Sequence, residues 1–171
     1  SERMRADIRS FSVASRNAQD GVSLVQTAEG ALSEVSDILG RMRELSMQSA
    51  NGTLNNGDRA TLDAEFQQLV SEIDRIANGT EFNGVSLLDG SSTSLAIQVG
   101  IDSGANNVIN VSGADATATT LGLSSASINT AAAASTMLGT LDTAINSVNS
   151  ARGTLGAQQN RLESTLRSVS Y

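Results

Sequence analysis

The stretch LVQTAEGALSEVSDILGRMREL, residues 24–45, decides the fold because its apolar residues recur in alternating steps of four and three. Seven positions carry the pattern: Leu24, Ala28, Ala31, Val35, Ile38, Met42 and Leu45. A heptad of this kind places all seven on one side of an α-helix, where they can pack against a neighbouring helix. We call these residues the heptad seam.

A second apolar stripe runs beside the heptad seam and widens the apolar face enough for two neighbours. Its members are Met4, Ile8, Phe11, Ala18, Val22, Val25, Leu32 and Leu39. The pattern ends at Asn51-Gly52, a pair that is typical of a helix stop. We therefore predict one long helix over residues 1–51.

Two further helices are predicted from the same periodicity. A turn, LNNGD at 54–58, leads through an N-cap at or near Asp58 into an antiparallel return helix over 57–78. That helix carries its own seam, Leu62, Phe66, Leu69, Ile73 and Ile76. A second long helix is predicted over 129–170 and should pack against the first. Its heptad frame contains Ala134, Leu138, Leu141, Ile145, Val148, Leu155, Leu162, Leu166 and Val169.

Between these helices, residues 80–128 are rich in Gly, Ser, Asn and Thr and contain short apolar runs at 85–88, 95–101 and 108–111. The sequence DSGANN joins the last two runs and indicates a β-hairpin. The predicted fold class is mainly α with a small β region. It is an elongated, rod-like bundle of two long helices, one shorter helix and a β-hairpin region, within a single domain over 1–171.

Composition excludes several kinds of function. The 171 residues include no His or Cys, and all eleven basic residues are Arg. The chain therefore cannot supply a Ser-His-Asp or Cys-His nucleophile, a Schiff-base lysine or the lysine of a phosphate-binding loop. A net charge of −7 argues against a nucleic-acid partner. No membrane partner, cofactor or metal is expected, and we predict that the chain is not an enzyme.

Carboxylate pairs are the remaining candidates for catalysis. Asp63/Glu65 and Glu72/Asp74 are such pairs, but residues two apart on a helix point in different directions. We predict that neither pair forms an acid–base site.

The end of the first helix has two possible interpretations. The stretch GRMRELSMQSANGT, residues 40–53, combines arginines with Met and Leu. It could be a solvated helix end in which Arg41 or Arg43 pairs with nearby acids. Arg and Met are also enriched at protein contacts, so the same stretch could be a binding surface.

Three stretches of the sequence resemble signatures of the conserved core domain of bacterial flagellin. They are ASRNAQDGVSLVQTAEGALSEVSDILGRMRELSMQSANGT at 14–53, EIDRIANGTEFNGVSLL at 72–88 and LGAQQNRLES at 155–164. The resemblance implies a structural subunit of the motile flagellar filament that binds other flagellin subunits. It also implies secretion by the flagellar export machinery as an unfolded chain, and an extracellular location in the flagellum.

In that family, terminal segments drive filament growth, and they are expected to be missing here. This chain by itself should therefore be a monomer that does not polymerise. The resemblance also implies recognition by Toll-like receptor 5 through Arg41, Leu45 and Glu65, which we expect to share one face. Further contact residues, for the receptor or for the next subunit, are predicted at Arg43, Glu44 and Gln48.

Two alternatives remain open. A hook–filament junction protein would have flagellin-like ends. A coiled-coil adaptor would leave its seam open for a partner helix, and it should therefore dimerise in solution.

Overall fold

A computed structural model describes residues 1–169 and confirms the predicted fold class, with three long helices and two small antiparallel sheets in that part of the chain. Helix α1 covers Glu2–Ser49, α2 covers Asn56–Gly79 and α3 covers Ala131–Val169. Residue 170, the predicted end of the last helix, lies outside the described residues, as does the side chain of Val169.

The N-cap of α2 lies three residues before Asp58, the residue around which it was predicted. Asn55 is the N-cap, and its side-chain oxygen accepts a hydrogen bond from the Asp58 backbone nitrogen at 2.8 Å. Asp58 accepts from the Asn55 nitrogen in return, at 3.3 Å. This reciprocal pair is a capping box, in which two otherwise unpaired donors of the first turn are satisfied.

Contacts between the helices show that α2 and α3 both run antiparallel to α1. Along α2, Arg59 lies beside Ser49 and Glu65 lies beside Arg41. Along α3, Asp142 pairs with Arg43. Farther along, Leu162 packs against Gly21. The chain therefore folds back on α1 twice.

The heptad seam forms the centre of the core. Leu24, Ala28, Val35, Met42 and Leu45 are buried, and Ala31 and Ile38 are partly buried against the same cluster. Phe66 and Ile73 of α2 are completely buried beside them. From α3 the core receives Ala134, Leu141, Val148, Leu155 and Leu162. Shared aliphatic stripes thus supply a core with few aromatic rings.

The start of the second stripe differs from the prediction. Met4, Ile8 and Phe11 are 65%, 66% and 44% exposed, so this part of the stripe does not pack against two neighbours. These side chains are exposed because the elements that cover the rest of α1 do not extend over them. The end of α2 borders a groove shared with Gly30, and the hairpin reaches α1 through a 3.0 Å hydrogen bond from Asn17 Nδ2 to the Gln98 carbonyl oxygen.

The β region contains two hairpins. Strand β1 (Glu81–Phe82) pairs with β2 (Val85–Ser86) across an Asn83-Gly84 turn, and φ is positive at both turn residues, 51° and 78°. Strand β3 (Leu95–Gln98) pairs antiparallel with β4 (Val108–Val111), with Leu95 opposite Val111. The predicted DSGANN hairpin is confirmed, although β3 ends at Gln98. Leu87 and Leu88 are core residues outside the strands.

The irregular segment 112–130 is held along α2 by side chains of that helix. Asp74 Oδ1 accepts from the Ala118 nitrogen at 2.7 Å, and Asp63 Oδ1 accepts from the Ile128 nitrogen at 2.9 Å. Ser49 Oγ at the end of α1 donates to the Ile128 carbonyl oxygen. These bonds bring the start of α3 beside the end of α1, which builds the surface described next.

Among residues 1–169, no helix is both long and apolar enough to cross a membrane.

Candidate protein-interaction surface

Arg41 links α1 to α2 near the C-terminal end of α1. Its Nε lies 2.8 Å from Glu65 Oε2 and its Nη2 lies 3.1 Å from Glu65 Oε1, so the guanidinium grips both carboxylate oxygens. A third bond joins Arg41 Nη1 to Glu44 Oε2 at 3.2 Å. The Arg41 and Glu65 side chains remain 48% and 46% exposed. A planar, bidentate pair of this kind fixes the direction of both groups at the surface.

Arg43 makes the matching link to α3. Its Nε lies 2.7 Å from Asp142 Oδ1, and its Nη1 contacts Met47 Sδ at 3.3 Å. Two residues apart on a helix means about 200° of rotation, so Arg41 and Arg43 border opposite edges of the exposed face of α1. Between them the face presents Glu44, Met47 and Gln48, and Met47 is 56% exposed.

We call Arg41, Arg43, Glu44, Met47 and Gln48 the α1 strip. Five of the six predicted site residues therefore belong to the strip or flank it, with Glu65 as the flanking residue on α2. The strip combines fixed charges at its edges with a flexible apolar side chain at its centre. This composition suits a protein contact, because little side-chain freedom remains to be lost at the arginines on binding.

The prediction that Leu45 shares an exposed face with Arg41 and Glu65 is wrong. Its side chain has no solvent exposure, because it belongs to the heptad seam and packs into the core between α1 and its neighbours. Leu45 does not share the exposed face of Arg41 and Glu65. The spacing of one helical turn brings Leu45 close to Arg41 along the axis, but the seam position turns it inward.

The ion pairs lower the pKa values of two acidic side chains at this surface. The side-chain hydrogen bonds from Arg41 hold the pKa of Glu65 below its ordinary value, with a smaller contribution from the positive charge itself. Arg43 lowers the pKa of Asp142 in the same way. Both carboxylates therefore stay ionised, and the pairs stay formed, as the solution becomes mildly acidic.

The carboxylate pairs weighed as catalytic candidates point apart, as predicted. Asp63 and Asp74 bind the backbone of the 112–130 segment, whereas Glu65 and Glu72 pair with Arg41 and Arg75. Within residues 1–169, no group of three or more His, Cys, Asp or Glu side chains is placed to hold a metal ion.

Arg59 is a key residue that sequence reasoning missed. It is only 7% exposed, and its guanidinium donates to the carbonyl oxygens of Ser49 at 2.7 Å and Asn51 at 2.8 Å. A third bond goes to Asn56 Oδ1 at 2.9 Å. A cation at the C-terminal end of a helix satisfies carbonyls that have no partner in the helix and opposes the negative end of its dipole. Arg59 thus fixes the corner at which the strip ends.

Comparison with known proteins identifies the family of this arrangement. A family described as the bacterial flagellin N-terminal helical region matches residues 1–93, and the bacterial flagellin C-terminal helical region matches residues 138–171. A flagellin of Halalkalibacterium halodurans is 46% identical over 169 residues, which cover 99% of this chain and 62% of that relative. The chain thus spans less than two thirds of that relative's length.

Two solved structures have a fold similar to that of this chain. The crystal structure of Bacillus cereus flagellin matches with a TM-score of 0.80 and 40% identity, covering 90% of this chain and 88% of that one. A putative flagellar hook-associated protein from Vibrio parahaemolyticus shares the fold, with a TM-score of 0.74 at 19% identity, covering 99% of this chain and 88% of that one. The two family matches together with the B. cereus similarity confirm the resemblance seen in the sequence, and the chain belongs to the bacterial flagellin family.

Proposed function

We propose that this chain is part of a structural subunit of the extracellular bacterial flagellar filament and serves motility through repeated self-association. It acts by shape and surface charge, without catalysis. Family membership is the observation that carries the proposal. The α1 strip supports it, because a surface with anchored arginines and an exposed Met47 is suited to contact a further subunit. We further propose export as an unfolded chain through the flagellar secretion channel.

A segment exchange tests the filament role. In H. halodurans, the part of the flagellin that matches this chain is replaced by this chain, and filaments and swimming are examined. We expect filaments to form and swimming to persist, since the two sequences are 46% identical over 169 residues. A strain that exports the chimaeric protein but builds no filament would contradict the proposal.

The same strain separates the filament role from that of a hook–filament junction protein. Immunogold labelling of the exchanged segment should mark the whole filament. Label confined to the junction would favour the alternative, whose fold the Vibrio structure shares. The coiled-coil adaptor is tested by sedimentation of the purified chain. We expect a monomer, because α2 and α3 already bury Val35 and Met42 of the seam, whereas an adaptor should dimerise.

We also propose that Toll-like receptor 5 recognises the surface formed by the α1 strip and Glu65. The observation that favours this is the exposed Arg41–Glu65 pair, whose two members are the polar residues that the flagellin resemblance assigns to receptor contact. Leu45 contributes from beneath by supporting α1. A receptor that binds the strip competes with the next subunit, so monomers should bind and intact filaments should not.

Charge reversal at Arg41 tests the receptor proposal. Arg41→Glu should weaken binding to the receptor ectodomain by on the order of tenfold to a hundredfold, the effect of losing a central charged contact. The matched control is Arg5→Glu, which makes the same charge change far along α1, where Arg5 pairs with Glu2 of the same helix. An unchanged titration for Arg41→Glu would remove the proposal.

A double exchange separates contact from folding. Arg41→Glu combined with Glu65→Arg restores an ion pair between α1 and α2 but reverses the charges that a partner meets. If Arg41 contacts the receptor, this double variant stays weak. If Arg41 only holds the helices together, binding recovers. A pull-down that compares monomers with intact filaments then tests whether the two contacts exclude one another.

A further inference from the structure

Four Asn-Gly pairs occur in the chain, and their surroundings in the structure differ. The pairs are Asn51-Gly52, Asn56-Gly57, Asn78-Gly79 and Asn83-Gly84. In such a pair the backbone nitrogen of glycine can attack the side-chain amide carbon of asparagine, because glycine has no side chain to obstruct the approach and adopts the required backbone angles freely. The reaction needs a glycine nitrogen that donates no hydrogen bond and an exposed asparagine side chain.

Three of the pairs are restrained. Asn56 and Gly57 begin α2, and the Asn56 side-chain oxygen is held by Arg59 Nη1 at 2.9 Å. Gly79 is the last residue of α2, so its nitrogen is tied into the helix ladder. Asn83 and Gly84 form the two-residue turn of the β1–β2 hairpin, and the strand pair on either side fixes their positive φ angles.

Asn51-Gly52 lies outside these restraints. Asn51, Gly52 and Thr53 are all exposed, and a Cβ built on Gly52 would meet nothing within 4 Å. In the part of the chain that the structure describes, the Gly52 nitrogen donates no hydrogen bond. The Asn51 side chain is directed along the following backbone, because its Oδ1 accepts from the Thr53 nitrogen at 3.1 Å.

Two neighbouring residues, Arg59 and Thr53, also carry hydrogen-bond donors that favour the reaction. Arg59 Nη2 donates to the Asn51 carbonyl oxygen at 2.8 Å, and that oxygen is conjugated with the Gly52 nitrogen. The buried guanidinium therefore makes the Gly52 N–H more acidic, which produces the attacking nitrogen. The Thr53 N–H points at Asn51 Oδ1, the oxygen on which negative charge develops during the attack.

From this geometry we propose that Asn51 is a site of spontaneous hydrolytic deamidation activated by Arg59 and Thr53. The Gly52 nitrogen loses its proton to water and forms a bond to Asn51 Cγ. The bond from Cγ to the side-chain nitrogen breaks, and that nitrogen leaves as ammonia after it takes up a proton. Water then opens the cyclic imide at either carbonyl carbon, which gives aspartate or isoaspartate.

The product alters the corner between α1 and α2. Either acid places a negative charge beside the last carbonyls of α1, where the helix dipole is already negative. Isoaspartate also lengthens the backbone by one carbon within the turn that Arg59 grips. The proposal does not depend on filament assembly or receptor binding.

Peptide mapping by mass spectrometry after incubation of the folded chain at mildly alkaline pH tests the proposal. The other three pairs serve as internal controls. Asn51 should convert on the order of tenfold or more faster than Asn78 or Asn83, as expected when a charge-stabilising donor is present in one site and absent in another. In concentrated urea, this advantage should disappear. Equal native rates, or an advantage that persists in urea, would overturn the proposal.

A pair of variants tests the mechanism. Thr53→Pro removes the N–H that faces Asn51 Oδ1, whereas Thr53→Ala keeps it. The proline variant should slow conversion of Asn51 without changing that of Asn83, and the alanine variant should match the parent. Equal rates in the two variants would exclude the Thr53 role. Arg59→Met should also slow Asn51 selectively. If that variant does not fold, the Thr53 pair and the urea comparison still decide the outcome.

Discussion

At the scale of single residues, position within the helix decides what each side chain does. Two predictions applied to Leu45, one as a member of the heptad seam and one as a contact residue on an exposed face. The structure confirms the seam position and contradicts the exposed one, because burying an apolar side chain at a periodic position is more favourable than exposing it. Arg59 could not be predicted. In sequence it is an ordinary arginine in the first turn of a helix, and two of its three acceptors are backbone carbonyls that carry no residue-specific signal.

Removal of the Arg59 side chain should destabilise the folded chain. Arg59→Ala should lower the free energy of unfolding by about 2–3 kcal/mol, because three hydrogen bonds to a charged donor are lost and the Ser49 carbonyl is left unpaired. Urea unfolding followed by circular dichroism measures the effect. The control is Arg5→Ala, which removes an exposed arginine and should leave the midpoint unchanged. Equal midpoints for the two variants would show that the corner contributes nothing.

At the scale of elements, the sequence predicted the helices well because heptad periodicity and Asn-Gly stops are local signals. It predicted the β3–β4 hairpin for the same reason. It could not predict that Arg43 would meet Asp142, because the two are 99 residues apart in the chain. It also gave no sign that α2 and the hairpin would leave Met4 and Ile8 uncovered, since a stripe of apolar residues does not reveal where its partners end.

The glycines of α1 offer a test of how tightly this element is packed. Gly30→Ala should raise the free energy of unfolding by about 0.5–1 kcal/mol, because alanine favours the helix and its Cβ would meet no atom within 4 Å. Gly21→Ala is the matched comparison, since its Cβ would lie 3.0 Å from Leu162 Cδ1. It should gain less stability or lose some. A Gly30→Ala variant less stable than the parent in thermal melts would contradict this expectation.

At the scale of the whole molecule, one continuous core joins all three helices to the 112–130 segment. We propose that the chain is a single domain that unfolds in one cooperative step. Exposed ion pairs then connect the helices at the surface, Arg41 with Glu65 and Arg43 with Asp142. The chain carries a net charge of −7, so these pairs also limit the repulsion among its acids.

Acid should therefore weaken the fold. The pKa values of Glu65, Glu72 and Asp142 are lowered in the folded state, chiefly by hydrogen bonds from arginines. A lowered pKa stabilises the fold above the ordinary carboxyl value, and this stability is lost as pH falls below about 4 and through the folded-state values. Urea midpoints measured from pH 7 downward should fall in this window.

The combination of Glu65→Gln with Asp142→Asn provides the control for this pH dependence. Its midpoint should depend less steeply on pH in the same window, since two of the shifted carboxylates are gone. A pH profile identical to that of the parent would show that acid acts on other groups.

Within the described residues, no other element covers the beginning of α1, so we expect unfolding to start there. Every residue from 1 to 13 is exposed, and burial begins only at Ala14. An uncovered helical segment this short is marginal in water, so its amide protons should exchange with deuterium far sooner than those of residues 24–45. A force pulling on these residues would peel away about three turns with little resistance and would then meet the whole core at Ala14.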